Sequence, residues 1–509
     1  MSEITPTIGE FNHWAEQGNV IPIQKTLAAD WITPLAAYEK LAKDNRYAFI
    51  LESVERGHRF ARYSIIGAGP CVVMMARDGI EEWIWADGRC ERREVKDPLR
   101  SLEGHMRRYV IPKGMPSLPF FCGGAIGFLA YEAGCVFEPV VPRAREDDLG
   151  VPDFYFIICD EVVVFDHEKH VIHIVVNVHL SAERDFSRVY TDAVGRIGII
   201  ESVLCEAHEI NPIPMGLVGE AIESSVNMTR DYYCQMVARM QRYIEAGDIF
   251  QVVPSQRWCV AYDHDPILLY RALRAINPSP YMFCLKFDSL ALVGSSPEVH
   301  VRCVQGRATI RPIAGTRPRH EDAERDRAIA EELLADEKER AEHLMLVDLA
   351  RNDLGRVCRY DTVHVTDFMV IERYSHVMHI VSNVEGRLRE DVTPYDVLRA
   401  TFPAGTVTGA PKIRAMQIIA ENEPTCRGTY AGAVGYFSYA GNLDSCIAIR
   451  TWLIKDGKAY LQAGGGLVAD STPEGEYLES CNKAQAGLKA MSWAVALSKR
   501  KIRAGSIVQ

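Results

Sequence analysis

The sequence has no run of 18 consecutive apolar residues, and its N-terminus has no basic stretch followed by an apolar one. The first absence excludes a membrane-spanning helix and the second argues against a secretory signal, so we expect a cytoplasmic protein. The 14 cysteines include no Cys-x-x-Cys pair. Metal ribbons and redox pairs are therefore disfavoured, and free thiols in a reducing compartment are expected.

A net positive charge is lacking as well. The formal net charge of −11 argues against nucleic acid or an anionic membrane as the main partner. An anionic substrate would therefore need cations placed locally in its binding site.

With 509 residues, of which 48% are hydrophobic and 25% charged, the chain is typical of a globular protein with two domains. Residues 208–227 show no sustained hydrophobic period, so we predict a linker there, between an N-terminal domain (1–207) and a C-terminal domain (228–509). Strand-like segments dominate the first part, and the second mixes helices and strands without a regular βαβ order. This pattern predicts an α+β fold with large antiparallel sheets.

Two glutamates, Glu339 and Glu342, are spaced three residues apart, which places both on one face of a helix. The following residues 344–350 are apolar at every position except Asp348, which predicts a buried helix. Two buried carboxylates are unfavourable unless something positive lies between them. The sequence therefore predicts positive charge close to this pair.

The same spacing recurs at Glu476 and Glu479, with Lys483 one turn further along the same face. The Ser-Thr-Pro segment 471–473 predicts the start of this second helix, and Glu474 follows at the position of a capping-box glutamate. For one such pair alone, a solvated helix face is the simpler interpretation.

Two pairs, one of them near the three glycines at 464–466, favour a convergence of four carboxylates around a cation. Oxygen ligands without His or Cys suit Mg²⁺. The spacing alone does not establish that the two helices meet.

Five longer motifs resemble those of the chorismate-utilising enzymes, and they occur in the family's order from about Thr229 to Lys489. They read "IRPIAGTRPR", "DEKERAEHLMLVDLARNDLGRV", "FPAGTVTGAPK", "YAGAVGYFSYAGNLDSCIAIRT" and "LQAGGGLVADSTPEGEYLES". The resemblance implies the fold of that family, a sandwich of large antiparallel sheets flanked by helices. It also implies that residues 228–509 bind chorismate and carry the catalytic site.

By this resemblance, Mg²⁺ binds the ring carboxylate of chorismate, with Glu342 and Glu479 as direct ligands and Glu339 and Glu476 acting largely through water. The resemblance assigns the enolpyruvyl carboxylate to Tyr430 and Arg450, and the latter offers a planar fork for it. The remaining family positions that contact substrate are Gly315, Thr316, Thr406, Gly464, Gly465, Gly466 and Lys483, of which Thr406 and Lys483 are grouped with the catalytic residues.

Glu298 corresponds to the family's general acid, which protonates the departing C4 hydroxyl. His379 corresponds to the histidine associated with the elimination of pyruvate. A histidine in a strand is more often structural, and His376 lies three residues away, so only the family motif selects His379.

Two positions distinguish the branches of the family. Water-using relatives carry a lysine base where this chain has Gln251, and ammonia needs no such base. The aminodeoxychorismate-forming branch typically carries a lysine that can attack the ring, where this chain has Ala314. The anthranilate-forming branch is therefore favoured. The aminodeoxychorismate-forming branch, a catalytically silent subunit with the same fold, and a di-metal carboxylate protein are the alternatives.

No Gly-x-Cys-x-Gly motif of a glutamine-hydrolysing domain is present. The resemblance therefore implies a separate glutamine amidotransferase subunit as the partner that delivers ammonia.

The segments "FILESVERG" and "NPSPYMF" resemble the family's binding site for L-tryptophan, the feedback inhibitor. A proline turn that leads into a strand would explain the second segment locally as well. The resemblance assigns inhibitor contacts to Ser53, Pro280, Tyr281 and Met282, with Arg62 as a candidate for a further basic contact, and so gives the N-terminal domain a part in this site.

Overall fold

The computed structural model describes residues 4–53, 62–115, 121–144, 146–180, 185–207, 212–214, 216–374 and 377–505. The described residues form twelve α-helices: α1 Ile8–Trp14, α2 Pro34–Ala42, α3 Pro98–Met106, α4 Ala133–Phe137, α5 Phe186–Cys205, α6 Arg230–Glu245, α7 Pro266–Ile276, α8 Ala323–Ala335, α9 Glu337–Gly355, α10 Pro394–Thr401, α11 Lys412–Asn422 and α12 Pro473–Gly505.

The same residues form 26 strands. They are β1 Ile4–Thr5, β2 Val20–Ala28, β3 Ala48–Glu52, β4 Tyr63–Ala68, β5 Val72–Arg77, β6 Ile80–Trp85, β7 Cys90–Glu94, β8 Gly124–Leu129, β9 Phe154–Cys159, β10 Glu161–Asp166, β11 Val171–His179, β12 Ser224–Val226, β13 Gln251–Val252, β14 Ser255–Ala261, β15 Tyr281–Lys286, β16 Leu290–Ser296, β17 Val299–Val304, β18 Arg307–Ile310, β19 Ile313–Pro318, β20 His364–Arg373, β21 Val377–Arg387, β22 Gly409–Ala410, β23 Ala433–Ser438, β24 Leu443–Ile447, β25 Thr451–Lys455 and β26 Lys458–Gly464.

Most of these strands belong to two 12-stranded sheets. The first has the order β1-β2-β11-β10-β4-β3-β15-β16-β25-β26-β14-β12, and the second has the order β19-β21-β18-β17-β24-β23-β8-β9-β5-β6-β7, with β20 also paired to β21. Paired strands run antiparallel, as in β3 with β15 and β8 with β23. The short strands β13 and β22 pair separately.

The two sheets pack face to face, and helices cover their outer faces. Between the sheets, Phe49 and Phe283 of the first meet Phe128 and Tyr155 of the second in one buried cluster. Helices α2, α5, α7 and α12 pack on the outer face of the first sheet, and α3, α9 and α10 on that of the second. The predicted α+β fold with a sandwich of large antiparallel sheets is confirmed.

Both sheets continue across the predicted linker. Met282 of β15 lies opposite Glu52 of β3, and Ala433 of β23 lies opposite Leu129 of β8. The N-terminal and C-terminal parts therefore complete each other's sheets. The boundaries at 1–207, 208–227 and 228–509 remain a prediction, and positions 208–211 and 215 of the linker lie outside the described residues.

Helix α9 is only half buried, so the expectation of burial on all sides was wrong. Leu346 and Val347 are buried, whereas Leu344 is 45% exposed and Asp348 faces solvent. The reason is that α9 packs on β19 and β21, at one edge of the second sheet, and leaves its other side uncovered.

The start of α12 also differs from the prediction. Thr472, rather than Ser471, caps the helix, because its hydroxyl accepts a hydrogen bond from the backbone N–H of Gly475 at 3.1 Å. The Ser471 hydroxyl accepts from the backbone of Val468, and Glu474 forms an ion pair with Arg230. The predicted capping box is therefore wrong, although the helix begins where the sequence predicted.

Within the described residues, no helix has both the length and the apolar character needed to cross a bilayer. All 14 cysteines are free thiols, as the sequence indicated.

Candidate active site

Helices α9 and α12 bring the two pairs of glutamates together. Glu339 and Glu342 lie in the first two turns of α9, and Glu476 and Glu479 in the first two turns of α12. Burial raises the pKa of Glu342, and the charges of Glu339 and Glu479 raise this pKa further. Burial likewise raises the pKa of Glu476, to which Glu479 and Glu342 add. Each helix therefore experiences the negative charge of the other.

Glu339 pairs with Arg317 at 2.9 Å, Glu479 pairs with Lys483 at 2.7 Å, and Glu342 accepts a hydrogen bond from Gln251 at 3.3 Å. The side chain of Ser471 hydrogen-bonds to the carboxyl group of Glu476 and lowers its pKa. Glu476 is 5% exposed, and its Oε2 has no hydrogen-bond partner among the described residues. The positive charge that the sequence predicted beside the first pair is supplied by Arg317, which the sequence analysis did not single out.

Gly464 is the last residue of β26, and Gly465 and Gly466, which follow it, pass directly over these carboxylates. A Cβ on Gly465 would lie 2.4 Å from Oε2 of Glu476, and a Cβ on Gly466 would lie 2.6 Å from Nε2 of Gln251. The carbonyl of Gly464 accepts a hydrogen bond from Nζ of Lys483 at 3.0 Å. At 465 and 466 a larger residue would therefore collide with the polar groups of the site.

The described residues contain no three His, Cys, Asp or Glu side chains gathered closely enough to hold one metal ion. The four glutamates fit a hard dication in two other respects. They offer only oxygen atoms as ligands. In addition, Oε2 of Glu476 is a buried acceptor without a hydrogen-bond partner among the described residues, and the missing side chain of Gly465 leaves room beside it. The assignment of Glu342 and Glu479 as direct ligands, with Glu339 and Glu476 outside them, remains a prediction.

A second cluster lies between β16 and β17, around Glu298. Burial raises the pKa of Glu298 to about 7, although Thr406, Arg450 and Lys483 act in the opposite direction. Through Lys483, which also pairs with Glu479, this cluster adjoins the four glutamates. A carboxyl group with such a pKa keeps its proton in a large fraction of molecules near pH 7, as a general acid requires.

Arg450 follows β24 with a left-handed backbone conformation, φ +49°. In the part of the chain that the structure describes, its partly buried guanidinium makes no ion pair and no hydrogen bond. Burial lowers its pKa, and the nearby Glu298 and Tyr430 raise it. The arrangement leaves a positive charge without a fixed counter-ion in the site.

A cleft opens beside Glu298. Its walls include Glu298, Arg311, Asp353, Gly405 and Thr406. The hydroxyl of Thr406 is buried and makes no hydrogen bond of good geometry.

His379 on β21 lies opposite Thr316 on β19, next to the bulge at Gly315. Its Nδ1 is 3.0 Å from the carbonyl oxygen of Gly315 and 3.0 Å from the hydroxyl of Thr316. Because a carbonyl only accepts, Nδ1 carries the proton, and Nε2 keeps a lone pair. Burial lowers the pKa of this imidazole. His376 lies outside the described residues.

Tyr430 is 7% exposed and lies close to two arginines. Its ring packs against the guanidinium of Arg427, whose carbon is 5.4 Å from the ring centroid. Burial raises the pKa of its hydroxyl to about 12, although the charges of Arg427 and Arg450 lower it. Its position next to Arg450 is compatible with the predicted carboxylate clamp.

The two segments predicted to bind tryptophan are neighbours in the first sheet. Met282 of β15 lies opposite Glu52 of β3, so Ser53 follows on directly beside Tyr281 and Pro280. The hydroxyl of Ser53 is buried and has no hydrogen-bond partner among the residues that the structure describes. Pairing of the two strands therefore brings the predicted contacts together.

Two other polar groups near this segment already have partners. The hydroxyl of Tyr281 donates to Asp444 at 2.8 Å. The candidate basic contact, Arg62, forms a double hydrogen bond with Asp166 and an ion pair with Glu168. Its charge is thus already compensated within the chain.

The chain was compared with known proteins. The family profile described as chorismate binding enzyme matches residues 46–489. Anthranilate synthase component 1 of Acetivibrio thermocellus is 46% identical over 493 residues, covering 96% of this chain and 98% of that protein. The crystal structure of anthranilate synthase component I from Streptococcus pneumoniae has a TM-score of 0.73 and 35% identity, covering 91% of this chain and 98% of the other.

The menaquinone-specific isochorismate synthase of Escherichia coli has a TM-score of 0.68 at 19% identity, covering 95% of this chain and 98% of the other, and shows only that the fold is shared. The chain belongs to the chorismate binding enzyme family, in the branch of anthranilate synthase component 1.

Proposed function

We propose that the chain converts chorismate and ammonia into anthranilate, pyruvate and water, as a step in the biosynthesis of tryptophan. The observation that carries this proposal is the guanidinium of Arg450, which has no ion pair among the described residues, close to a carboxyl group, Glu298, whose pKa is raised to about 7. A free cation suits an anionic substrate, and a proton-bearing acid beside it suits the loss of a hydroxyl group.

Arg450 and Tyr430 bind the enolpyruvyl carboxylate in this proposal, and Gly315 and Thr316 contact the substrate from β19. The hydroxyl of Thr406 and the ammonium group of Lys483 complete the surroundings of Glu298. These contacts hold chorismate with its C4 hydroxyl towards the acid.

Glu298 gives its proton to the C4 hydroxyl, which leaves as water while ammonia forms a bond to C2. The C2 proton is then removed as the bond to the enolpyruvyl oxygen breaks and pyruvate is released, so that the ring becomes aromatic. His379 is the base available for that proton, because its Nδ1 is committed to the Gly315 carbonyl and its Nε2 lone pair is free.

Glu342 and Glu479 would hold Mg²⁺ directly, and Glu339 and Glu476 would hold it through water. The ion would supply charge compensation for the ring carboxylate. Without a cation, the four glutamates would repel an anionic substrate.

Ammonia is the nucleophile that this site supports best. Gln251 lies in the site as a neutral amide that donates to Glu342, and it cannot take a proton from water as a lysine base would. Ala314 has no group that could attack the ring. Ammonia would be supplied from glutamine by an amidotransferase partner subunit in the cytoplasm.

The neighbouring segments around Ser53 and Tyr281 are proposed to bind L-tryptophan as a feedback inhibitor. The buried hydroxyl of Ser53, which has no partner among the described residues, supports this assignment because a ligand could satisfy it.

The test is an assay of the purified chain with chorismate, Mg²⁺ and ammonium at mildly alkaline pH, followed by anthranilate fluorescence and product masses. We expect anthranilate and pyruvate in equal amounts, lost on addition of EDTA and in Glu342→Gln. The matched control on the same helix is Asp348→Asn, whose exposed side chain pairs only with Arg351.

Accumulation of aminodeoxychorismate would overturn the branch assignment and would mean that Ala314 does not mark the anthranilate-forming branch. A folded chain that leaves chorismate unchanged would favour a catalytically silent subunit.

A further inference from the structure

Arg317 lies near the end of β19 and reaches the first turn of α9 with both ends of its guanidinium. Nη1 donates to Oε1 of Glu339 at 2.9 Å, and Nη2 donates to Oδ2 of Asp336 at 2.9 Å. The side chain is 25% exposed, and its Nε also lies 3.9 Å from Oε1 of the exposed Glu332 on α8. One arginine fork therefore bridges two carboxylates at the entrance to the glutamate cluster.

Only one of these two carboxylates is free to leave the fork. Asp336 is the N-cap of α9, and its Oδ1 accepts hydrogen bonds from the backbone N–H groups of Lys338 and Glu339. Its position is therefore fixed by the helix itself. The side chain of Glu339 has no such backbone tie.

Glu339 is held on the β19 side of the site. Its Oε2 would be 3.2 Å from a Cβ on Gly315, so it lies against the backbone at a residue whose φ is +67°. Its charge still raises the pKa of Glu342. Glu339 is thus shared between the fork of Arg317 and the carboxylate cluster.

We propose that Arg317 competes with the divalent cation for Glu339 and thereby weakens metal binding in the chain without substrate. This inference rests on the metal site of the proposed function. An ion that recruits Glu339 must draw this carboxylate from a charged hydrogen bond, and it must also approach a fixed positive charge. Arg317 is then a positioning residue that sets the metal affinity.

Arg319 supplies a matched control two residues further on. Its guanidinium donates to Asp326 of α8 at 2.8 Å and to the carbonyl of Tyr374 at 2.8 Å. Its ion pair is therefore with a carboxylate outside the glutamate cluster. Arg319→Met removes the same charge as Arg317→Met and leaves Glu339 with its partner.

The experiment is a titration of the whole chain with Mn²⁺, without chorismate, in which free Mn²⁺ is measured by its EPR signal. We expect Arg317→Met to bind Mn²⁺ about two- to fivefold more tightly than the wild type, the range for loss of a partly exposed ion pair. Arg319→Met should bind as the wild type does. In a Glu339→Gln background, most of the gain from Arg317→Met should disappear.

Arg317→Lys keeps the charge and loses the fork, so we expect an affinity between those of the wild type and Arg317→Met. This variant also provides the test if Arg317→Met does not fold, as judged by circular dichroism. Mn²⁺ binding that is unchanged or weaker in the folded Arg317 variants would overturn the inference and leave Arg317 as a structural tie.

A wild-type chain that binds no Mn²⁺ would overturn both this inference and the metal site. Failure of the Arg317 inference and failure of the proposed function can be distinguished, because the anthranilate assay reports on the proposed reaction whatever the Arg317 variants show.

Discussion

Two arginines lie close to Tyr430, and the protein uses their charges in opposite ways. Arg427 is 2% exposed, and its guanidinium donates to both oxygens of Glu423 and to the carbonyls of Val407 and Val253. Arg450 is partly buried and has no partner of this kind within the described residues. The charge of Arg427 is balanced inside the protein, and the charge of Arg450 is available to a ligand.

The difference shows that burial alone does not separate a structural cation from a functional one. What separates them is whether the donors are satisfied inside the chain. Arg450 also holds a left-handed backbone conformation, which costs a non-glycine residue on the order of 1 kcal/mol. An unpaired charge on a strained backbone stabilises nothing by itself, which indicates a role in the site.

The largest expected effect is loss of stability in Arg427→Met. Glu423 is 4% exposed and would keep a buried negative charge with only the hydrogen bonds from Ser255. We expect the free energy of unfolding to fall by about 3–5 kcal/mol, measured by urea denaturation followed by circular dichroism. The control is the double variant with Glu423→Gln, which should recover part of the loss. If Arg427→Met unfolds at the same urea concentration as the wild type, Arg427 does not have the structural role that the comparison gives it.

Arg450→Gln should have the second-largest effect, on activity and not on stability. Loss of charged hydrogen bonds to a substrate carboxylate should lower kcat/KM for chorismate about 100-fold. The urea midpoint should stay near that of the wild type, because no internal ion pair is broken. Arg450→Lys, which keeps the charge without the fork, should lie between the two. A drop in stability comparable to that of Arg427→Met would show that Arg450 is structural as well.

The pH dependence of Glu298 gives a smaller effect with a definite sign. Burial raises its pKa to about 7 in the folded chain. The folded state therefore binds more protons than the unfolded state between the ordinary carboxyl pKa and about 7. Its stabilising contribution is fully present below that window and is lost as the pH rises through it towards 7, by at most about 1.4 kcal/mol for each pH unit.

Denaturation midpoints of the wild type and Glu298→Gln, measured from pH 5 to pH 8.5, check this sign. The wild type should lose stability relative to Glu298→Gln as the pH rises. The opposite trend would mean that Glu298 and Arg450 form an internal ion pair, and Arg450 would then resemble Arg427.

The sequence could predict the residues that share a helix face, but not their distant partners. Glu339 with Glu342 and Glu476 with Glu479 follow from helical spacing, and the hydrophobic pattern was sufficient for the class of fold. The pairing of Arg317 with Glu339 depends on how the bulged strand β19 meets α9, and no local pattern encodes that contact. Likewise, the half-exposed state of α9 follows from its place at a sheet edge, which its own apolar residues do not show.

The pairing of strands that lie far apart in the sequence could not be predicted from local patterns either. The strands around Glu52 and Met282 are neighbours in the first sheet, although about half of the chain separates them. Their contact places Ser53 beside Tyr281, and only the resemblance of the two segments to family motifs predicts this contact from the sequence. The different roles of Arg427 and Arg450 could not be predicted from "TCRGTY" and "AIRTW" either, since the partners of the Arg427 guanidinium come from three separate segments of the chain.

Tyr430→Phe should give the smallest effect on stability and activity. It tests whether the hydroxyl of Tyr430 acts together with Arg427 or with Arg450. The phenyl ring keeps its packing against Arg427, so stability should change by less than about 1 kcal/mol, while loss of the hydroxyl from the carboxylate clamp should raise KM for chorismate about three- to tenfold. Tyr131→Phe is the matched control, because its ring also packs on Arg427, at 4.7 Å, and its buried hydroxyl has no partner. A rise in KM in Tyr430→Phe but not in Tyr131→Phe assigns the hydroxyl of Tyr430 to Arg450 and the substrate. Equal behaviour of the two variants would place Tyr430 with Arg427 in the structural core.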